Sequence, residues 1–147
     1  MNILIVEDNH INLMTLKNFL KDIGIDPLIA THGEEGLSLW RKEKPDIVIT
    51  DLHMPIMDGF EMIKKIRHED IDTYTYIIVL TQYDDAFHAD QSFEIGADDF
   101  LSKPFHKRDL KHRLQIAERI LSLHQGSILI YALSRLTQAK DQETGEH

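Results

Sequence analysis

Short apolar runs alternate with longer amphipathic stretches along most of the chain. NILIVE (residues 2–7) reads as a buried strand. HINLMTLKNFLKD (10–22) reads as a helix with Ile11, Met14, Leu16, Phe19 and Leu20 largely on one side. Gly24 stops that helix. DPLIAT makes a second strand, Gly33 to about Glu43 a helix carrying Leu37, Leu39 and Trp40, and DIVIT a third strand after Pro45. A third helix over about 58–69 presents Phe60, Ile63 and Ile66, and YIIVLT (76–81) is a fourth strand. A fourth helix over about 84–95 ends at Gly96, DDFLS is a short fifth strand, and another helix begins after Pro104.

Strands that are apolar throughout, separated by helices, indicate an α/β fold with a parallel sheet covered on both faces. Five strands and five helices are expected. In such sheets ligands bind beyond the carboxyl ends of the strands, where the strand order reverses. The predicted strand ends carry Glu7 and Asp8, then Asp51, Thr81 and Lys103. Each residue alone has an ordinary explanation as a strand end, helix start, turn former or exposed lysine. Their joint occurrence at successive strand ends favours a site.

The chemistry of that set is specific. Grouped carboxylates repel unless a cation lies among them, and oxygen donors without His or Cys suit magnesium, with manganese a substitute. A carboxylate such as Asp51 is also a nucleophile toward phosphorus. Phosphoryl transfer needs in-line positioning and neutralised oxygens, which a metal, Lys103 and the Thr81 hydroxyl would supply.

Composition narrows the classes further. The 147 residues are 42% hydrophobic, enough for one compact domain and a short appendage. The absence of cysteine excludes disulfides and thiolate metal sites and fits a reducing, cytoplasmic compartment. The first apolar run is too short for a secretory core, so the chain is read as mature from Met1, and no run approaches membrane-spanning length. Residues 1–104 hold 9 Lys and Arg against 20 Asp and Glu, whereas residues 105–147 hold 7 against 5. An acidic body argues against direct binding of nucleic acid, whose affinity comes from clustered cations.

The segments IVEDN, DLHMPIMDG, VLT and FLSKPF, with 30 residues from Asp51 to Thr81 and 22 from Thr81 to Lys103, resemble the receiver domain of two-component response regulators. The resemblance covers roughly residues 1–120 and places the receiver at 1–121. It implies the flavodoxin-like strand order 2-1-3-4-5. It further implies that Asp51 accepts phosphate from a histidine kinase or phosphotransfer protein, and that Glu7 and Asp8 hold magnesium with the His53 main-chain carbonyl. Lys103 would contact the phosphoryl group, Thr81 and Phe100 would be the switch pair, Pro55 and Gly59 would shape the loop, and Pro104 would be cis. Gln82 departs from the family pattern, where a small residue commonly follows the switch Thr. His53 and Tyr83 stand where side chains flank the attacking water, and are read as setting the acyl phosphate lifetime.

Residues 122–147 form the remainder. From Lys107 to about Lys140 one apolar stripe runs through Leu110, Leu114, Ala117, Leu121, His124, Ile128 and Tyr131, and a second through Ile116, Ile120, Leu123 and Ile130. One stripe suffices to pack on the receiver, so the second points to a partner helix and a homodimer through the fifth helix and linker. Gly126 is a candidate break. The ending LSRLTQAKDQETGEH resembles the opening of an HD-GYP domain, which would make Glu143 and His147 metal ligands and the parent protein a cyclic-di-GMP phosphodiesterase cut before its catalytic half.

Two rival classes remain. An aspartate-based phosphatase would need a second acid two residues beyond Asp51, where His53 stands. A receiver-like scaffold without phosphorylation would lack Asp51, Asp8 or Lys103, and all are present. A stand-alone receiver without enzymatic output is a further alternative.

Overall fold

The computed structural model describes residues 1–82 and 84–124. Five strands, β1 (Ile3–Val6), β2 (Leu28–Ala30), β3 (Ile47–Asp51), β4 (Tyr76–Gln82) and β5 (Asp99–Lys103), form one parallel sheet in the order β2-β1-β3-β4-β5. Between them lie α1 (His10–Asp22), α2 (Gly33–Glu43), α3 (Gly59–Glu69) and α4 (Ala86–Glu94). A fifth helix, α5, begins at residue 107 and continues to residue 124. The flavodoxin-like architecture is the expected one.

The strands are apolar throughout because their alternate side chains feed two separate cores. From β1, Ile3 and Ile5 join Leu13, Leu16 and Leu20 of α1 and Leu110, Leu114 and Ala117 of α5. Leu4 and Val6 face the other way, onto Leu37 and Trp40 of α2 and Met62, Ile63 and Ile66 of α3. Trp40 Nε1 also donates to the buried Thr75 Oγ1 at 2.9 Å, which satisfies both polar groups inside the second core.

Helix boundaries follow local capping. Asn9, Asp58 and Asp85 accept main-chain N–H bonds at the starts of α1, α3 and α4, as short polar side chains do. Gly24 and Gly96, at φ +83° and +118°, follow the ends of α1 and α4 in a conformation that favours glycine.

Three expectations need correction. The buried stripe of α1 is Leu13, Leu16 and Leu20, whereas Ile11 is 76% exposed and Met14 also reaches solvent. Apolar residues surround much of this helix, so the sequence left two phases open and docking against β1 and β3 selected one. Strand β3 runs one residue further than DIVIT, taking in Asp51, and β5 extends to Lys103. In both cases pairing with β4 carries the strand one residue past its apolar run, to the charged residue expected at its end.

In α5 the first apolar stripe packs on the core, while Ile120 and Leu123 of the second are exposed. The helix passes the boundary at residue 121 without a break. Ile128, Ile130, Tyr131, Gly126, Glu143 and His147 lie outside the described residues, as does Tyr83.

Candidate functional site

The strand order reverses between β1 and β3, and the carboxyl ends of these strands carry the acids. Asp51 ends β3, Glu7 and Asp8 follow β1, and the ligand oxygens of the three acids all lie within 4.8 Å of one another. Lys103, at the end of β5, reaches across with Nζ 3.3 Å from Asp51 Oδ2 and 3.7 Å from Glu7 Oε2. The sheet thus assembles four residues that the sequence scatters over nearly a hundred positions.

The Asp51 carboxylate is held in place on one side. Its Oδ1 accepts the main-chain N–H of Leu52 at 2.7 Å and that of His53 at 3.4 Å. It lies at the floor of a cavity of about 440 Å³ whose walls include Asp8, Asn12, His53, Gln82 and Lys103. Asp51 is buried, but it lines this opening, so a reactant can reach it.

Glu7 is fully buried, which the sequence did not show. Its Oε1 accepts the N–H of Asn9 at 3.0 Å, while Oε2 has no hydrogen-bond partner. Burial pushes the Glu7 carboxyl up to about 7, and the neighbouring Asp51 carboxylate adds to the effect. A buried acid with an orphaned oxygen beside two more acids is what a hard divalent cation would satisfy. The donor set, all oxygen, fits magnesium by its chemistry.

The loop after β3 is shaped by its backbone. Met57 N donates to Pro55 O at 2.8 Å around Ile56, whose φ is 71°. This is a γ-turn of positive φ, a strained form that a β-branched residue rarely takes. The sequence carried no sign of it. Gly59 N then donates to Leu52 O at 2.9 Å, and the approach is so close that a Cβ on Gly59 would overlap the Asp51 carbonyl oxygen. Pro104 follows a cis peptide bond, as expected.

Thr81 is buried near the end of β4, beside a second cavity of about 240 Å³. Phe100 lines the same cavity but lies partly exposed, its ring 6.0 Å from that of Phe93 and 5.7 Å from the Arg113 guanidinium. Helix α4 covers this region with only two buried residues, Ala89 and Ser92, while Phe87 is 75% exposed. With only these two side chains buried, few apolar contacts tie α4 to the sheet.

Asp85 and His88 escaped the sequence reading. Asp85 caps α4 and its carboxylate meets the imidazoles of His53 and His88 at 3.4 and 2.6 Å. The D-x-x-H spacing at a predicted helix start was the available signal.

The fold and strand-end cluster define a flavodoxin-like α/β domain with a charged site at the carboxyl edge of its sheet, and comparison with known proteins gives its family. Residues 3–115 match the response regulator receiver domain, and the chain belongs to that family. It is 34% identical over 113 residues to the alkaline phosphatase synthesis transcriptional regulatory protein PhoP of Bacillus subtilis, covering 77% of this chain and 46% of PhoP. The chemotaxis protein CheY4 of Vibrio cholerae superposes with a TM-score of 0.72 at 30% identity, covering 79% of this chain and 97% of CheY4. The receiver domain of Ssk1 from Saccharomyces cerevisiae, solved with the histidine phosphotransfer protein Ypd1, gives 0.71 at 28% identity, covering 77% and 85%.

The chain spans about half the length of the curated relatives it matches. PhoP is named as a transcriptional regulator, and the family match ends at residue 115. The HD-GYP resemblance therefore rests on the tail sequence alone. Among the described residues no helix is long and apolar enough to cross a membrane.

Proposed function

We propose that Asp51 is the phosphoacceptor of a two-component signalling switch. The observation that carries this reading is a carboxylate fixed by two main-chain amides and lining an open cavity, with Lys103, Glu7 and Asp8 gathered around it. The donor is a phosphohistidine of a kinase or phosphotransfer protein, in keeping with the Ypd1 complex of the Ssk1 receiver. An Asp51 oxygen attacks phosphorus, the P–O bond forms as the P–N bond breaks, and the proton needed by the leaving imidazole comes from the donor's side or water. Glu7, Asp8 and Asp51, with the His53 carbonyl, would hold magnesium, which supplies positive charge against the phosphoryl oxygens.

Lys103 neutralises a second oxygen and Thr81 donates its hydroxyl to a third. As Thr81 moves toward the phosphoryl group, Phe100 can occupy the cavity beside it, and α4 shifts with them. The roles of Pro55 and Gly59 are to shape the loop after β3. His53, with Tyr83, would set the lifetime of the acyl phosphate by flanking its water. The exposed Ile120 and Leu123 support a homodimer through α5 and the linker.

For the full-length protein, the D-x-E-T-G-x-H tail favours a cyclic-di-GMP phosphodiesterase output, with Glu143 and His147 as metal ligands. The transcriptional-regulator name of PhoP favours a DNA-binding one instead. The experiment for the switch is phosphorylation with acetyl phosphate and magnesium, read by intact mass. One phosphoryl group per chain, absent in Asp51→Asn, is expected. An unmodified wild type points to a scaffold, and modification of Asp51→Asn removes Asp51 from the role.

A further inference from the structure

Beside the Asp51 cavity, whose lining includes His53 and Asp85, a second set of metal-competent side chains converges from two distant segments. His53 lies just after β3, Asp85 caps α4, and His88 sits in the first turn of that helix. Each Asp85 oxygen meets one imidazole: Oδ2 is 3.4 Å from His53 Nε2 and Oδ1 is 2.6 Å from His88 Nδ1. The ligand atoms of all three residues lie within 4.8 Å of one another. The two imidazoles meet edge to face at 4.7 Å, and the Phe60 ring packs 6.2 Å from one and 5.9 Å from the other. A helix cap requires only Asp85 and a main-chain N–H; it does not explain two imidazole nitrogens aimed at the same carboxylate.

We propose that His53, Asp85 and His88 form a binding site for a divalent transition-metal ion of the zinc class, which clips the loop after β3 to the start of α4. Imidazole nitrogens with one carboxylate suit zinc, cobalt, nickel or copper, whereas the all-oxygen set at Glu7, Asp8 and Asp51 suits magnesium. The two sites therefore sort cations by donor chemistry. Tetrahedral bonds of about 2.1 Å set the donor atoms about 3.4 Å apart, so the His88–Asp85 contact of 2.6 Å opens while any wider pair, none beyond 4.8 Å, closes. His53 is more than half exposed and can make that movement. The ion takes the ring-nitrogen lone pairs, and any proton shared with Asp85 leaves to solvent. The cavity that His53 and Asp85 share with Asp51 leaves room for water as a fourth ligand.

The consequence is mechanical. Helix α4 is tied to the sheet by little more than Ala89 and Ser92, so a bond from its first turn to the loop that carries His53 restrains it directly. A transition metal would bias the position of α4 and, because His53 N also bonds Asp51 Oδ1, would couple that position to the Asp51 site.

The test is zinc titration of the whole chain, stripped with chelator and held in excess magnesium, followed by calorimetry, with cobalt absorption reporting imidazole ligation. Saturable binding of one ion that magnesium does not displace is expected. His88→Gln should weaken it by at least about 100-fold, since even residues that only support ligands cost 10–100-fold. His53→Gln, on an exposed loop, should do the same and guards against a folding defect in the helix variant. Asp8→Asn and His147→Ala should bind as wild type. Unchanged affinity in both histidine variants overturns the proposal, as does loss of binding in Asp8→Asn or His147→Ala, which would put the ion among the acids or in the tail. Binding is read directly, so the result stands whether or not Asp51 accepts phosphate.

Discussion

Replacing Glu7 by Gln should remove a pH-dependent cost that the wild-type protein carries when no divalent cation is present. Glu7 is fully buried with one oxygen unpartnered, and its carboxyl is pushed up to about 7 from an ordinary value of 4.5. A raised carboxyl binds its proton more tightly in the folded than in the unfolded chain, so stability falls as pH rises between these values. The difference between the two proteins should be constant below about pH 4.5. By about pH 7 it should have moved against the wild type by on the order of 3 kcal/mol.

The assay is urea unfolding in chelator across that range, taking the difference between the two proteins so that titrations elsewhere cancel. Saturating magnesium should then restore the wild type at high pH by binding the folded state, and should help Glu7→Gln much less. A difference that stays constant from about pH 4.5 to about pH 8 would refute the argument. So would a magnesium response of equal size in both proteins, because the orphaned oxygen would then have no part in holding the cation.

Other substitutions probe the frame around the site. Arg67 donates to Gly96 O, Thr75 O, Asp70 and Asp98, and Arg67→Ala leaves the two largely buried carboxylates without their charge partner. Thr75 N still bonds Asp70, and Ile77 N and the Tyr74 hydroxyl still bond Asp98, so a loss of about 3 kcal/mol is expected in denaturant unfolding; a loss below about 1 kcal/mol would contradict it. Trp40→Phe leaves Thr75 Oγ1 without its donor inside a core and should cost about 1–3 kcal/mol, measured as a shift of the urea midpoint. Gly59→Ala puts a methyl against the Asp51 carbonyl oxygen and should cost about 1–3 kcal/mol while slowing phosphorylation by acetyl phosphate; an unchanged rate would separate the loop from the site. Phe100→Ala should accept phosphate as wild type yet lose any phosphorylation-dependent change in oligomeric state, read by light scattering.

Much of the architecture is local and could be read in advance. Apolar strands separated by helical stretches imply a doubly covered parallel sheet because each strand must bury both faces, as Ile3 and Ile5 on one side and Leu4 and Val6 on the other now do. Asp51, Asp8 and Lys103 meet because strand ends of such a sheet converge whatever the loops between them do. The phase of α1 was not recoverable, since Ile11 and Met14 fit a helical stripe as well as Leu13 does and only docking on β1 and β3 separates them.

Three further features emerged only when the segments met. The isolation of Glu7 Oε2 depends on how closely Lys103 approaches from β5. The positive φ of Ile56 is imposed by a loop that must bring Gly59 against Leu52. The meeting of His53 with Asp85 across 32 residues depends on where α4 settles over β4. Periodicity is a property of neighbours within a turn or two, and it determined which residues form elements and which face inward. Distances between elements are fixed by sheet register and helix docking, which sum many weak contacts over the whole chain, so the partners of a buried or functional side chain became known only in the folded molecule.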